Sequence, residues 1–189
     1  MREVLPKKAK LVPKDAKCVF KGIIYDVYQW EQEVFDGTKK TFEMLKRADT
    51  VKIIAIKNNK IVIVKQEQPF IGSFIDIPGG MHDINSETEL DAAKRELREE
   101  TGLVCKDWKL LTAVQYHSKI EQMVYHFLAY NVESVIEQKL DSGEKIEVVY
   151  LTLEEVKNLF DDPRVRYLPK EILGSVNSVE ELLGFPEFK

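Results

Sequence analysis

Cysteine is scarce in this sequence. Its 189 residues include only Cys18 and Cys105, which are too few and too far apart to predict a disulfide framework or a cysteine metal site. Long apolar runs are missing as well, since no stretch approaches the roughly 18 apolar residues that span a bilayer. The basic start MREVLPKKAK lacks the apolar segment of a secretion signal. We therefore expect a cytoplasmic chain that has no membrane as a partner.

The chain also has no surplus of positive charge. Its 28 Lys and Arg residues against 32 Asp and Glu residues give a net charge of −4. Such a balance lacks the basic surface that binds a nucleic-acid backbone, so we expect no nucleic-acid polymer as a partner. A hydrophobic share of 44% and a charged share of 32% are typical of a globular protein. The length allows one ordinary domain, with room for a small N-terminal subdomain.

Strand signals dominate the first part of the sequence. The segment CVFKGIIYDVYQWEQEVF is rich in β-branched and aromatic residues, and it ends at Asp36-Gly37, a hairpin signal ahead of TKKTFEMLKR. This pattern predicts a small antiparallel β-ribbon within residues 1–47, followed by a main domain over residues 48–189. In the main domain, VKIIAIK and KIVIVKQ flank Asn58-Asn59 and predict a hairpin of central strands, because their apolar runs are continuous.

One long helix is predicted from about Ser86 to Thr101. Ser86 and Glu89 have the spacing of a capping box, and Gly102 suits the left-handed conformation that ends many helices. Strands are predicted at about 109–117, at about 122–131 and in EKIEVVYL, and helices in LEEVKNLF and VEELLGF. Strands on both sides of a central helix predict an α/β (α+β) sandwich with a mixed sheet, rather than a doubly wound parallel sheet.

Three glutamates occupy one side of the predicted helix. Glu96, Glu99 and Glu100 stand at i, i+3 and i+4, so they share an arc of about 100°. Carboxylates this close repel one another, and a divalent cation would remove that cost. Because the donors are all oxygens, Mg²⁺ is favoured, with Mn²⁺ as an alternative, over zinc. An acidic helix is more often only a solvated face, but here PGG at 78–80 precedes it, and glycines let backbone groups approach a metal or phosphate closely.

These segments together resemble a known motif. The glycine loop, Glu87 and RELREETGL at 95–103 are similar to the Nudix box, G-x5-E-x7-R-E-U-x-E-E-x-G-U with U aliphatic. Every defined position from Glu87 to Leu103 is filled at the right spacing. Six residues, MHDINS, separate Gly80 from Glu87, where the pattern has five. The resemblance implies a Nudix α/β/α sandwich and a hydrolase of phosphoanhydride bonds that depends on Mg²⁺ or Mn²⁺.

The resemblance to the box also assigns roles to residues. Glu96, Glu99, Glu100 and the carbonyl oxygen of Gly79 would be the metal ligands. Glu99 would also belong to the catalytic residues, together with Arg95, which would orient a glutamate by ion pairing. Gly80 would lie against the substrate.

A weaker resemblance, to the ADP-ribose and nucleoside diphosphate sugar pyrophosphatase branch, extends over most of the chain. It is carried by the β-ribbon, by KIVIVKQEQPF ahead of FIDIPGG, and by GEKIEVVYLTLEE. In that branch the N-terminal region exchanges between the subunits of a dimer, so a homodimer is implied. The substrate would be ADP-ribose or another nucleotide sugar, cleaved to a nucleoside monophosphate and a sugar phosphate. Two different functions stay open: a housecleaning nucleoside triphosphate pyrophosphohydrolase, and a regulatory module that binds nucleotide sugars without hydrolysing them.

The same branch suggests a catalytic base outside the box. Glu144, which follows Gly143 in a polar segment, corresponds to an acid that serves as base or positions the attacking water. A mobile loop could bring it to the site when substrate closes the cleft. Glu147, Asp141 and Glu121 are competing candidates for this role.

Three more residues are candidates for substrate binding. Trp30 would stack a nucleobase, or else pack in the ribbon or an interface. Arg47 would pair with a phosphate, or else remain a solvated charge. Gln68 lies where the branch commonly has an arginine, two residues after Gln66. The change weakens the case for ADP-ribose in particular and makes other nucleotide sugars comparable candidates.

Overall fold

The structure, a computed structural model, describes residues 2–84, 86–140 and 142–188, and these form twelve strands and four helices. The strands are β1 (Lys17–Lys21), β2 (Asp26–Glu33), β3 (Lys39–Lys46), β4 (Asp49–Lys57), β5 (Lys60–Gln68), β6 (Gly72–Asp76), β7 (Met81–His82), β8 (Leu103–Val114), β9 (Ile120–Glu121), β10 (Val124–Val135), β11 (Lys145–Leu151) and β12 (Val165–Tyr167). The helices are α1 (Glu89–Thr101), α2 (Leu153–Asn158), α3 (Lys170–Leu173) and α4 (Val179–Leu183). No helix in the described ranges is long and apolar enough to cross a membrane.

The N-terminal part forms an antiparallel ribbon of β1, β2 and β3, which β9 extends by parallel pairing with β3. The turn between β2 and β3 is tight, because Gly37 adopts a positive φ of 79° and Asp36 accepts hydrogen bonds from Thr38. Through β9, the ribbon is joined to the rest of the chain by hydrogen bonds. The division at residues 47 and 48 into two domains stays a prediction.

The larger sheet divides into two branches after the β4–β5 hairpin. Strands β4 and β5 pair only near the turn, at Ile56 with Ile61 and Lys57 with Lys60. Beyond that point β4 pairs in parallel with β10, while β5 pairs antiparallel with both β6 and β11. The strand order is β12-β6-β5-β4-β10-β8, so the predicted central position of this hairpin is confirmed.

Helices cover both faces of this sheet. Side chains of β4 alternate between two buried clusters, as expected for a strand of period two. Val51, Ile53 and Ala55 pack in the cluster that includes α1. Ile54 and Ile56 pack in the cluster that includes α2, α3 and α4. The arrangement is therefore the predicted α/β/α sandwich with a mixed sheet.

The predicted start of α1 is wrong. Helix α1 begins at Glu89, and its N-cap is Thr88, whose side chain accepts a hydrogen bond from the Asp91 backbone while Asp91 bonds back to Thr88. This threonine and aspartate form the capping box that the sequence suggested for Ser86 and Glu89. Glu89 is buried instead, and its carboxylate accepts hydrogen bonds from the backbone of Glu3 and Val4.

The end of α1 is as predicted, but the strand after it begins earlier than predicted. Gly102 has a positive φ of 71°, and its N–H donates to Arg98. Strand β8 then starts at once, at Leu103 rather than near residue 109, because it pairs along its length with the equally long β10. Strand β12 and helix α3, of three and four residues, were not predicted, since such short elements carry no periodic pattern.

Candidate active site

The glycine loop lies directly against β4. The carbonyl oxygens of Pro78 and Gly80 accept hydrogen bonds from Ile53 and Val51, at 2.8 and 3.0 Å. Gly79 has a φ of +147°, and a Cβ at this position would lie 2.1 Å from the Val51 carbonyl oxygen. Only glycine fits here, because the conformation is rare for L-residues and the strand leaves no space. The loop is thereby fixed against strand β4.

The loop holds two of the helix glutamates by close contact. The Gly79 N–H donates to the Glu100 carboxylate at 2.8 Å. A Cβ on Gly80 would lie 2.4 to 2.6 Å from the Glu96 carboxylate, so this glutamate packs directly onto the backbone. The two glycines therefore let the acidic side of α1 approach the loop.

Arg95 gathers the remaining acids. Its guanidinium group contacts the carboxylates of Glu87, Glu96 and Glu99, at 2.9, 2.7 and 3.2 Å, and donates to the Met81 carbonyl oxygen at 3.0 Å. Glu87 lies ahead of the helix rather than on it. The predicted ion pairing of Arg95 with box glutamates is thus present in the geometry, and its catalytic role stays a prediction.

Two of the helix glutamates lack enough counter-charge. Burial raises the pKa of Glu96 to about 7 against the opposing effect of Arg95, and the charges of Glu99 and Glu144 add to the rise. Burial likewise raises the pKa of Glu100 to about 8, against Lys52 and the Gly79 N–H. Both carboxylates therefore tend to bind protons near neutral pH when no cation is present.

The raised pKa values of Glu96 and Glu100 make the stability of the metal-free chain depend on pH. Between the ordinary carboxyl value of 4.5 and the raised pKa values, the folded chain holds protons that the unfolded chain has released, so stability falls as pH rises. The pKa of His126 is lowered by burial from 6.5 to about 4, and it acts in the opposite direction only below pH 6.5. We therefore expect the melting temperature in EDTA to fall from pH 6.5 to pH 8. A melting temperature that stays constant over this window would contradict the burial of uncompensated carboxylates.

The three glutamates fit a hard divalent ion by their chemistry. They offer carboxylate oxygens only, and the Gly79 carbonyl belongs to the same loop. Within the described ranges no three acidic, histidine or cysteine side chains stand in a metal-holding cluster. Glu96 and Glu99 accept hydrogen bonds from Arg95, while Glu100 accepts one from the Gly79 N–H. The role of these residues as metal ligands stays a prediction.

The three helix glutamates, Arg95 and the two loop glycines border one cavity of about 590 Å³. Every predicted site residue except Trp30 lies on its wall, namely Arg47, Gln68, Gly79, Gly80, Arg95, Glu96, Glu99, Glu100 and Glu144. The wall thus combines an acidic row with several cations, a composition suited to a metal-bound phosphate compound.

Comparison with known proteins identifies the family. The pattern of the NUDIX domain matches residues 46–170. This chain belongs to the Nudix family. The ADP-ribose pyrophosphatase of Bacillus subtilis (strain 168) is 34% identical over 153 residues, which cover 78% of this chain and 81% of that protein. A solved structure of an ADP compounds hydrolase matches with a TM-score of 0.68 over 92% of this chain and 91% of its own, at 18% identity, and supports the fold.

The family match confirms several predictions. It bears out the predicted Nudix membership and the predicted sandwich fold. It also bears out the resemblance to the ADP-ribose and nucleotide-sugar pyrophosphatase branch. The class of enzyme, a Nudix pyrophosphatase that acts on phosphoanhydride bonds, is confirmed as well.

The fold brings Glu144, the predicted candidate for the catalytic base, to the cavity. Its carboxylate accepts a hydrogen bond from Gln68 at 3.3 Å, and its charge helps to raise the pKa of Glu96 and Glu100. Among the competing acids, Glu147 is exposed and pairs with Lys65 at 3.3 Å.

Glu121, a further candidate for the base, does not border this cavity as far as the structure describes it. Its carboxylate is buried between Arg2 and Lys46, at 2.8 and 2.9 Å. Asp141, the last candidate for this role, lies outside the described residues.

The two predicted substrate contacts of the ribbon region differ in position. Arg47 lines the Nudix cavity, with its guanidinium group 5.2 Å from the Tyr25 ring centroid. Its Nε is buried and, within the described ranges, has no hydrogen-bond partner. Trp30 lies on β2 against Phe42, with ring centroids 6.2 Å apart, away from the cavity of its own chain. A stacking role for Trp30 stays a prediction.

A group of charged and aromatic residues on the same wall was not predicted from the sequence. Lys52 forms an ion pair at 2.7 Å with Asp76, which is buried. Arg166 and Tyr167 of β12 also line the cavity. A signal for the ion pair was available, because Lys52 in VKIIAIK and Asp76 in FIDI are charges within apolar strand segments. No comparable signal marked β12.

Proposed function

We propose that this Nudix enzyme hydrolyses the diphosphate bond of ADP-ribose or another nucleoside diphosphate sugar and releases a nucleoside monophosphate and a sugar phosphate. The observation that carries the proposal is the row of Glu96, Glu99 and Glu100 beside Gly79 on the wall of a 590 Å³ cavity. This volume is within the usual range of small-molecule sites, about 300 to 1,000 Å³. The activity named for the Bacillus subtilis relative supports the choice of substrate class.

Mg²⁺, or Mn²⁺ in its place, is the proposed cofactor. The carboxylates of Glu96, Glu99 and Glu100 and the carbonyl oxygen of Gly79 would hold it. When bound, such an ion neutralises phosphate oxygens and makes water more acidic. Of the glutamates that contact Arg95, Glu99 is the least buried, with its side chain 30% exposed. We assign Glu99 to the catalytic residues as well as to the metal ligands.

The reaction begins with a water molecule that attacks one phosphorus of the diphosphate. Glu144 accepts the proton of this water, and Gln68 holds the Glu144 carboxylate in place. The bond from the attacked phosphorus to the bridging oxygen breaks, and that oxygen leaves with its electron pair on the second phosphoryl group. Arg47 binds phosphate oxygens through the guanidinium group that Tyr25 supports, while Gly80 lets the substrate approach the loop.

Replacing Glu144 with glutamine is expected to lower kcat by about 100-fold or more, which is the usual contribution of a general base. KM should change little, because the neutral amide keeps the shape of the side chain. Steady-state rates at varied substrate concentration measure both constants.

The matched control for this base is Glu147→Gln. Glu147 is on β11, three positions further along, where it is exposed and paired with Lys65. It should keep the wild-type rate. A Glu144→Gln enzyme as fast as this control would remove Glu144 from the mechanism.

The substrate class is tested by a panel of compounds in Mg²⁺, with products identified by mass. We expect a nucleoside monophosphate and a sugar phosphate from ADP-ribose or a nucleotide sugar. Release of pyrophosphate from nucleoside triphosphates would indicate a housecleaning enzyme instead. Tight binding of nucleotide sugars without any product would indicate a regulatory module.

We also infer a homodimer that uses the N-terminal ribbon. Several of its large apolar side chains are exposed in the single chain, namely Val19, Phe20, Ile23, Ile24 and Phe35. Apolar surface of this kind favours association. A dimer would also give Trp30 access to the cavity of a second copy.

A further inference from the structure

Strand β12 brings two consecutive side chains, Arg166 and Tyr167, to the cavity wall. In a regular strand consecutive side chains point to opposite faces. Here the pairing with β6 is irregular, because Val165 lies opposite Ile75 and Tyr167 opposite the very next residue, Asp76. A bulge of this kind re-aims a side chain. The local irregularity is therefore what allows Arg166 to share the wall with Tyr167.

The charge of Arg166 is available for a ligand. Its side chain is exposed, and the guanidinium group lies 5.2 Å from the ring centroid of Phe74. Among the ion pairs of residues 2–84, 86–140 and 142–188, none involves Arg166. Arg95 on the same wall is different, because three carboxylates already surround it.

Asp76, a carboxylate on which the charge of Arg166 acts, is already engaged. One oxygen of Asp76 accepts from Lys52 at 2.7 Å, and the other accepts from the Ile77 N–H at 2.8 Å. Lys52 and Arg166 both lower the pKa of Asp76, which burial raises, so both cations lie within electrostatic reach of one carboxylate. Lys52 is therefore already paired with Asp76, whereas Arg166 forms no ion pair within the described ranges and Gln68 contributes no charge.

We propose that Arg166, supported by Lys52, binds phosphate oxygens of the substrate. The inference rests on the proposed hydrolysis of a nucleoside diphosphate sugar and adds a second cation, besides Arg47, that would hold its diphosphate. A guanidinium group can donate two parallel hydrogen bonds to a phosphate. Contact with the Phe74 ring limits the freedom of the side chain, which lowers the entropic cost of binding.

The test compares Arg166→Ala and Arg166→Lys with the matched control Arg164→Ala. Arg164 is two residues earlier, is exposed, pairs with Asp162 at 2.6 Å and lies off the cavity wall. Arg166→Ala should raise KM for ADP-ribose or the preferred nucleotide sugar by about 10- to 100-fold, the loss expected for a charged hydrogen bond. Because the bond exists before and during the reaction, kcat should change little. Lysine should restore part of the affinity, and Arg164→Ala should match the wild type.

A second measurement does not depend on turnover. Inorganic pyrophosphate is titrated into each variant in Mg²⁺ by calorimetry, after thermal unfolding has shown that all variants fold. Wild type and Arg164→Ala should bind it, and Arg166→Ala should bind it at least about tenfold more weakly.

The two proposals can fail separately. If the wild type hydrolyses a nucleotide sugar while Arg166→Ala has an unchanged KM and an unchanged pyrophosphate affinity, this inference is overturned and the proposed function stands. If the wild type hydrolyses no nucleotide sugar but loses pyrophosphate affinity in Arg166→Ala, the proposed function fails and the phosphate site stands.

Discussion

Replacing Glu100 with glutamine is expected to lower kcat about a thousandfold, because stabilisation of several kcal/mol at the reacting phosphate is lost. Glutamine is nearly the same shape as glutamate but carries no negative charge for a cation. Steady-state rates on the best substrate of the panel measure the loss, and we expect a similar loss for Glu96→Gln.

The fold of the Glu100→Gln variant should persist. Burial raises the pKa of Glu100 to about 8, so the group is largely protonated near neutral pH without metal, and glutamine resembles that form. The Gly79 N–H still finds an oxygen acceptor. The melting temperature in EDTA should therefore stay equal or rise.

A buried glutamate of the same helix provides the control. Glu89 is 3% exposed and accepts backbone hydrogen bonds from Glu3 and Val4, away from the cavity. Glu89→Gln should keep its turnover. Full activity in Glu100→Gln and Glu96→Gln would exclude the acidic row from catalysis.

Replacing Gly79 with alanine is expected to destabilise the chain by about 3 kcal/mol or more, or to prevent folding. The new Cβ would lie 2.1 Å from the Val51 carbonyl oxygen and 2.9 Å from the Lys52 Cα. Both contacts are with the backbone of a central strand, which cannot move without disturbing the sheet. Denaturant unfolding gives the free energy of unfolding directly.

The Gly143→Ala variant serves as the control for Gly79→Ala. An added Cβ at Gly143 meets no atom within 4 Å, and its φ is not positive. Its stability should equal that of the wild type or rise by a few tenths of a kcal/mol, because alanine restricts the unfolded chain. Equal stability of the Gly79→Ala and Gly143→Ala variants would mean that the loop does not lie against β4.

Some errors of the sequence analysis have clear causes. The capping box was assigned to Ser86 and Glu89, but Thr88 and Asp91 have the same spacing, and only the burial of Glu89 under the N-terminal segment decides between them. Short strands such as β12 form through pairing with a distant strand, so no local pattern predicts them.

Local rules were sufficient for the acidic row and its helix. Spacing alone places Glu96, Glu99 and Glu100 on one side of α1, since a helix has a fixed period of 3.6 residues. Gly102 marks the end of the helix because it is the residue that accepts a positive φ most readily.

The family and the helix with its carboxylates could be predicted from the chain alone, because motif spacing and helical period depend on residues close in sequence, and the resemblance also named Glu144. The folded chain was needed to place Lys52 on the wall of the same cavity, and to show that Arg166 reaches it through an irregular strand pair. The physical reason is that these residues meet through sheet pairing between distant segments, and the register of that pairing depends on the whole packed core.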